Sequence, residues 1–298
     1  MLIDKYCIES KWFENYSSQS QAVKIKCTLC PHNCVLAEGQ RGICRVRAVI
    51  NGKLYSLVYG RACSVCLDPI EKKPLYRFLP GTKILSIATV GCNLRCVNCQ
   101  NAHISQVEPE KVNCDYLPPD KVVELAQKTG VPSIAYTYTE PFIFYEYVYD
   151  TAKSAQENGI KNVLVTAGYV NQKPLLELCP FIDAANVDLK CFDEDYYLKY
   201  SKIKMQPVLD TIITMKKQGI HIELTNLIIP TLSDDLSVIK KMCEWIVKEL
   251  GTQTPLHFSR FFPMHQLSHL PPTGRETLEQ AKNIALNCGL EFVYLGNI

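Results

Sequence analysis

From about residue 83 onward the chain alternates between two kinds of segment, and nothing else in it narrows the possible folds so far. Short apolar, β-branched runs recur at 83–89, 133–139, 162–168, 184–190, 221–230, 256–262 and 291–295. Runs this short, apolar at successive positions and flanked by turn residues, suit parallel strands buried on both faces. Amphipathic stretches lie between them. Residues 120–128 read DKVVELAQK after two prolines, a helix start, and Gly130 supplies the stop. The stretches 142–158, 193–218, 234–250 and 275–288 each run up to a glycine, at Gly159, Gly219, Gly251 and Gly289. Strand and helix alternate about six times, which predicts parallel strands joined by crossover helices. Six units are fewer than the eight of a closed barrel. The expected fold is therefore α/β, a partial (β/α)6 TIM-like barrel with an N-terminal cysteine-rich segment.

That front segment reads differently. The chain has 15 cysteines in 298 residues, and residues 1–76 hold seven of them: Cys7, Cys27, Cys30, Cys34, Cys44, Cys63 and Cys66. Apolar runs there are short, as at 54–59, so this segment is expected to fold around metal, with residues 77–298 as the core domain. An odd, unevenly spread set of cysteines argues against a disulfide framework. The start MLIDKYCIES has neither a basic opening nor an apolar stretch, so no export signal is expected and the default compartment is the cytoplasm. Thirty-two basic against 30 acidic residues give a net charge of +2, which argues against a nucleic-acid partner. No apolar run reaches the 18 or so residues of a membrane span, so no membrane partner is expected.

After the first predicted strand comes the loop 89–101, TVGCNLRCVNCQN, with Cys92, Cys96 and Cys99 spaced C-x3-C-x2-C. Three thiolates on a four-iron cluster leave one iron without a protein ligand, and an open position separates a reactive metal site from a closed one. The competing reading is a Cys3His zinc site completed by His103. Upstream, Cys27, Cys30, Cys34 and Cys44 form C-x2-C-x3-C-x9-C, a candidate second metal site, with Cys63 and Cys66 as a further pair. Four thiolates close a site completely, which suits zinc or an auxiliary [4Fe–4S] cluster, and spacing alone separates neither. Cys114, Cys179, Cys191, Cys243 and Cys288 are isolated and read as apolar fillers. At the end of the fourth predicted strand, Asp188 and Lys190 face the same side. A buried Asp–Lys pair is costly unless it meets a charged ligand.

The cysteine loop resembles that of the radical S-adenosylmethionine (SAM) enzymes. Further stretches carry the likeness along nearly the whole chain: CTLCPHNCVLAEGQRGICRVR from Cys27, DPIEKKPLYRFLPG from Asp68, YTYTEP from Tyr136, TAGY from Thr166, VDLKC from Val187, HFSRFFP from His257 and PPTG from Pro271. Together they resemble the radical SAM enzyme of the AmmeMemoRadiSam system, related to pyruvate formate-lyase activating enzymes. The resemblance implies a [4Fe–4S] cluster on Cys92, Cys96 and Cys99, with SAM chelating the open iron. It implies reductive cleavage of SAM to a 5′-deoxyadenosyl radical that abstracts hydrogen from a substrate.

Residues at the later strand ends then take expected roles. Glu140 resembles the glutamate of a Gly-Gly-Glu element that receives the SAM ammonium, although Tyr138 and Thr139 stand where the glycines would be. Thr166 and Gly168 match a Thr-Asn-Gly turn, and Asn101 matches an asparagine that faces the cofactor. Lys190, beside Asp188, is read as the partner of the SAM carboxylate. His265 is the nearest equivalent of a histidine near the SAM ribose; Asn226, His257 and Arg260 also lie in or after the last strands. Expected partners are SAM, a reducing electron donor such as flavodoxin or ferredoxin, and Memo-like and AMMECR-like proteins. The substrate is a small molecule or, for an activating enzyme, a glycine of a partner protein. A non-enzyme alternative is a zinc-stabilised interaction protein on the same barrel.

Overall fold

The computed structural model describes residues 3–16 and 24–298. Eight strands form one sheet: β1 (Ser64–Pro69), β2 (Lys83–Ala88), β3 (Ser133–Tyr136), β4 (Lys161–Thr166), β5 (Ala184–Asp188), β6 (His221–Ile228), β7 (Leu256–Arg260) and β8 (Val293–Gly296). They lie side by side in chain order, and every neighbouring pair from β2 to β8 is parallel. The helices α1 (Pro119–Thr129), α2 (Tyr145–Glu157), α3 (Gln172–Leu178), α4 (Gln206–Lys217), α5 (Leu236–Leu250) and α6 (Arg275–Asn287) return the chain between them. Six βα units and a closing parallel strand make the open, TIM-like partial barrel. The edge strand β1 runs antiparallel to β2, with Ser64 opposite Ala88 and Pro69 opposite Lys83. The sheet therefore takes one edge from inside the cysteine-rich segment.

The two-residue period of a strand sorts the side chains. Leu85, Ile87, Ile134, Leu164, Val187 and Leu224 join the helices in the main core. Ile84, Ala135, Val163 and Ala184 point the other way and pack on Ile70 and Leu75. The segment after β1 thus fills the concave side of the sheet, where Asn186 Nδ2 donates to the Pro74 carbonyl at 2.8 Å. Glu223 anchors the same segment by accepting from the Tyr76 and Arg77 N–H groups at 3.0 and 2.8 Å.

Helix boundaries follow local chemistry. Pro119 opens α1 and Gly130, at φ +66°, stops it, because only a residue without Cβ adopts that turn at no steric cost. The stretch 193–218, read from sequence as one helix, is three pieces. After a short turn at Glu194–Tyr196 comes a π-turn at Tyr197–Ser201, then Lys202 at φ +61°, and only at Gln206 does α4 begin. The interruption frees the Tyr200 and Ser201 carbonyls to accept from Val97 and Arg95 of the cysteine loop. Sequence periodicity also passed over α3, whose seven residues are too few to show a clear repeat.

The front segment is tied to the barrel by a buried ion pair. Arg47, 1% exposed, donates from Nη2 to Glu146 Oε2 at 2.6 Å and from Nη1 to Oε1 at 3.1 Å. Glu146 lies on α2 and also accepts from Ser10 Oγ and the Lys11 N–H. Burial pushes its carboxyl up, but the Arg47 guanidinium outweighs that and holds it below the ordinary range.

Glu146→Gln should cost about 3–5 kcal/mol, because it strands the Arg47 charge away from water; urea unfolding measures it, and an unchanged midpoint would show that the pair is not structural. Burial raises the Glu223 carboxyl, but His221, His257 and two backbone N–H groups together hold it near 2 against an ordinary 4.5. A depressed acid stabilises the fold above its unfolded pKa, so this contribution is complete above about pH 4.5 and fades towards pH 2. Glu223→Gln should flatten the stability–pH curve in that window.

Candidate active site

Asn101, Glu140, Thr166, Gly168, Asp188 and Lys190 lie at the carboxyl ends of β2 to β5, where chemistry sits in parallel αβ folds, whereas Asn226, His257 and Arg260 lie on β6 and β7, with His257 against Glu223 and Arg260 donating to the Thr273 carbonyl. The cysteine loop leaves β2 and is held by its neighbours. Arg95 and Val97 donate their N–H groups to the π-turn, and the Arg95 guanidinium donates to the carbonyls of Cys92, Leu94 and Ile43. The Gln106 amide donates to the Cys96 carbonyl at 3.0 Å. Gly91, at φ +99°, permits the loop to lie against the front segment: a Cβ there would stand 2.5 Å from Val46 Cγ1 and 2.7 Å from the Cys44 carbonyl oxygen.

Cys92, Cys96 and Cys99 are all half-buried free thiols. Leu94 N–H donates to the Cys92 sulfur at 3.3 Å, and Cys99 Sγ is 3.1 Å from Ser105 Oγ. Burial raises the Cys92 thiol, helped by the Glu140 carboxylate; burial also raises Cys96, opposed by Lys190. Among the described residues no three His, Cys, Asp or Glu side chains close on one point as the ligands of a single metal ion do. His103 is exposed, so the Cys3His zinc set is not assembled. Three thiolates on one loop are the kind of donor set that an iron–sulfur cluster takes.

Glu140, at the turn after β3, is 2% exposed and joins two strand ends. It accepts from Thr166 Oγ1 at 2.6 Å, from Ala167 N–H at 2.9 Å and from Phe142 N–H at 3.2 Å. The last of these is a helix-cap contact; the other two span from β3 to β4. Burial nonetheless pushes the carboxyl up to about 7, with Asp188 adding to the rise. A carboxylate offers about four lone-pair positions, so three donors leave room for one more. Thr166 Oγ1 in turn accepts from the Gly168 N–H at 2.9 Å, and Gly168 turns at φ +70°.

Lys190 Nζ and Asp188 Oδ2 are 2.8 Å apart at the end of β5, as expected of side chains on one side. The Asp188 carboxylate is 41% exposed, so the pair opens towards solvent on its acidic side. Burial pulls the Lys190 ammonium down, but Asp188 and the Cys96 sulfur outweigh this and hold it above the ordinary lysine value. Asn101 donates to the Tyr138 carbonyl at 2.8 Å; it begins the turn after the cysteine loop without capping it through its side chain. His265 is exposed and its ring contact is with Gln266, apart from the Glu140–Lys190 group. Its loop still touches the cysteine loop, since Gln266 N–H donates to the Val97 carbonyl at 3.1 Å.

Sequence reasoning missed Tyr138, Asp68 and Lys73. Tyr138 takes φ +64°, the conformation a glycine would adopt freely, and its side chain compensates by anchoring below. The phenol donates to Asp68 Oδ2, which also accepts from Lys73 Nζ at 2.6 Å and Ser86 Oγ at 2.8 Å. The Lys73 ammonium lies 4.3 Å from the Tyr138 ring centre. The signal was present in the stretch from Asp68 to Gly81, but nothing in its spacing connects it to position 138, 70 residues from Asp68.

The radical SAM superfamily model matches residues 86–245, more than half of the chain. An uncharacterised protein of Methanocaldococcus jannaschii is 46% identical over 275 residues, spanning 92% of this chain and 82% of that one. The (2S)-3-sulfopropanediol dehydratase activating enzyme of Klebsiella oxytoca is 28% identical over 112 residues, 38% of this chain and 35% of the enzyme. The alignment with that enzyme therefore spans about a third of its length. Among solved structures, Streptococcus suis SuiB bound to S-adenosylmethionine matches with a TM-score of 0.56 at 12% identity, over 72% of this chain and 52% of that one, a likeness of fold.

Gly91→Ala should destabilise the protein by about 2–3 kcal/mol, since the new methyl meets a backbone carbonyl at a left-handed φ. Urea unfolding measures the loss, and full stability in this variant would show that the loop and front segment are not interlocked.

Proposed function

Because this chain belongs to the radical SAM superfamily, we propose that it cleaves SAM reductively at the carboxyl ends of β2 to β5 and starts hydrogen abstraction from a substrate. The observation that carries the reading is the meeting of the three-cysteine loop with Glu140, Thr166, Asp188 and Lys190 on the next three strand ends. A [4Fe–4S] cluster held by Cys92, Cys96 and Cys99 would supply one electron to the SAM sulfonium, giving a 5′-deoxyadenosyl radical. Glu140 offers its remaining lone pair to the SAM ammonium, and Thr166 and Ala167 N–H keep the carboxylate aimed. Lys190 presents a cation to the SAM carboxylate beside Cys96, with Asp188 balancing its charge in the absence of SAM. Asn101 holds the Tyr138 carbonyl, and so the turn that carries Glu140. Gly168 lets the end of β4 pack closely, since a Cβ there would stand 3.3 Å from Val187 Cγ1 and 3.4 Å from Thr211 Cγ2, and His265 lies on the loop that borders the cysteines. Exclusion of water and oxygen falls to the front segment, which covers the loop from Gly91 outward.

The stretches from Cys27 to Arg47 and from Asp68 to Gly81 support the narrower placement in the AmmeMemoRadiSam branch, with flavodoxin or ferredoxin as electron donor and Memo-like and AMMECR-like proteins as associates. A second reading, activation of a glycyl-radical enzyme, is supported by the partial similarity to the Klebsiella activating enzyme. A partner protein that gained a glycyl radical signal when incubated with reduced enzyme and SAM would favour that reading.

Cys96→Ala should abolish 5′-deoxyadenosine formation while leaving the circular dichroism spectrum and unfolding midpoint near wild type. SAM cleavage surviving in this variant would remove the loop from the reaction. Glu140→Gln should weaken SAM binding about tenfold by calorimetry, the effect of one charge-assisted hydrogen bond of roughly 1.5 kcal/mol. Equal affinity would remove Glu140 from the site.

A further inference from the structure

The main chain at Lys190 lies past the end of the sheet's hydrogen-bond ladders. Pairing between β4 and β5 ends with Thr166 opposite Val187, and pairing between β5 and β6 ends with Asp188 opposite Thr225. Leu189 and Lys190 therefore leave the ladder with backbone groups that need other partners. Two buried side chains supply them. Asn226, on β6, donates from Nδ2 to the Leu189 carbonyl at 2.8 Å and to the Lys190 carbonyl at 3.2 Å. Tyr197, at the start of the π-turn, accepts from the Lys190 N–H at 3.0 Å through its phenol oxygen. Both main-chain groups of one residue are thus held by side chains, and the two side chains come from different elements.

The clamp works from the helix side of the sheet. The two-residue period of a strand puts Asn226 on the face of Leu224 and Ile228, and these join Leu189 and Tyr197 in the main core. Lys190 shares the other side with Asp188, whose Oδ2 lies 2.8 Å from its Nζ. The π-turn also reaches the cysteine loop, because its Tyr200 and Ser201 carbonyls accept from the Val97 and Arg95 N–H groups. One five-residue element therefore holds the main chain beneath the lysine at one end and the loop around Cys96 at the other. Such π-turns are rare and concentrate at functional sites. A lysine ammonium rides on a flexible four-carbon stem, so its position is only as definite as the backbone that carries it.

We propose that Tyr197 and Asn226 are positioning residues for SAM binding, acting through Lys190 rather than on SAM itself. Tyr197 fixes the Lys190 N–H and Asn226 fixes its carbonyl, so that the ammonium is presented to the SAM carboxylate from a main chain that cannot shift. The inference rests on the reading of Lys190 as the partner of that carboxylate. It assigns the π-turn a part in ligand binding in addition to its hold on the cysteine loop.

The test is a double-mutant cycle read by calorimetry of SAM binding. The protein is reconstituted with iron and sulfide without oxygen and left oxidised, so that SAM is bound but not cleaved. Lys190→Ala should weaken SAM binding about tenfold, and Tyr197→Phe, which removes only the hydroxyl, about threefold. Because the hydroxyl acts through the lysine, Tyr197→Phe should add no further loss in the Lys190→Ala background. A hydroxyl with a merely structural role would lower the unfolding midpoint and leave affinity alone, or weaken binding equally in both backgrounds; either result overturns the proposal. If Tyr197→Phe fails to fold, Asn226→Ser goes through the same cycle, with the same loss expected in wild type and none in Lys190→Ala, and the same two results overturn the proposal. The two levels of the argument separate cleanly. Weakened binding in Lys190→Ala with wild-type affinity in Tyr197→Phe and Asn226→Ser sinks this inference alone, whereas wild-type affinity in Lys190→Ala sinks the carboxylate role of Lys190 and this inference with it.

Discussion

The Arg47–Glu146 ion pair is the interaction from which the arrangement of the two halves follows. Although its apolar runs are short, the cysteine-rich segment buries Ile25, Leu29, Val46, Val49, Leu54 and Val58 in the same core as the barrel. Burying a guanidinium against a carboxylate on α2, with Ser10 and the Lys11 amide filling the remaining lone pairs, adds a fixed register to that apolar contact. Once it is fixed, the Cys44 carbonyl and the Val46 side chain lie directly on Gly91, and the loop that carries Cys92, Cys96 and Cys99 is clamped from one side. From the other side the π-turn before α4 accepts two of its amide hydrogens. The loop has almost no regular structure of its own, and its shape is imposed by what packs around it.

Electrostatics at the strand ends runs in two directions at once. Burial raises Glu140 towards neutrality, while Asp188 and the nearby sulfur keep Lys190 charged. The result is a rim with a cation beside one cysteine and a carboxyl held close to its midpoint beside another. A zwitterion carrying an ammonium and a carboxylate is the kind of ligand that settles both groups, since each of its charges meets an oppositely inclined partner. The concave side beneath is stiffened by Asp68, which gathers a lysine, a serine and the Tyr138 phenol around one carboxylate. That anchor explains how a tyrosine tolerates a backbone conformation natural to glycine directly before the Thr139–Glu140 turn.

The alternation of apolar runs and amphipathic stretches determined the partial barrel by itself, because strand and helix periods depend only on neighbours in the chain. The same locality made the three-cysteine loop and the strand-end positions of Glu140, Thr166, Asp188 and Lys190 readable, since the ends of parallel strands fall on one rim. What the sequence could not contain was the π-turn within 193–218, whose last two carbonyls accept from the amides of a loop about 100 residues away. Nor could spacing join Tyr138 to Asp68 and Lys73, or Arg47 to Glu146. Such pairs are decided by which faces meet once the sheet has curved, and the free energy of burying a charge depends on the partner found there, not on distance along the chain.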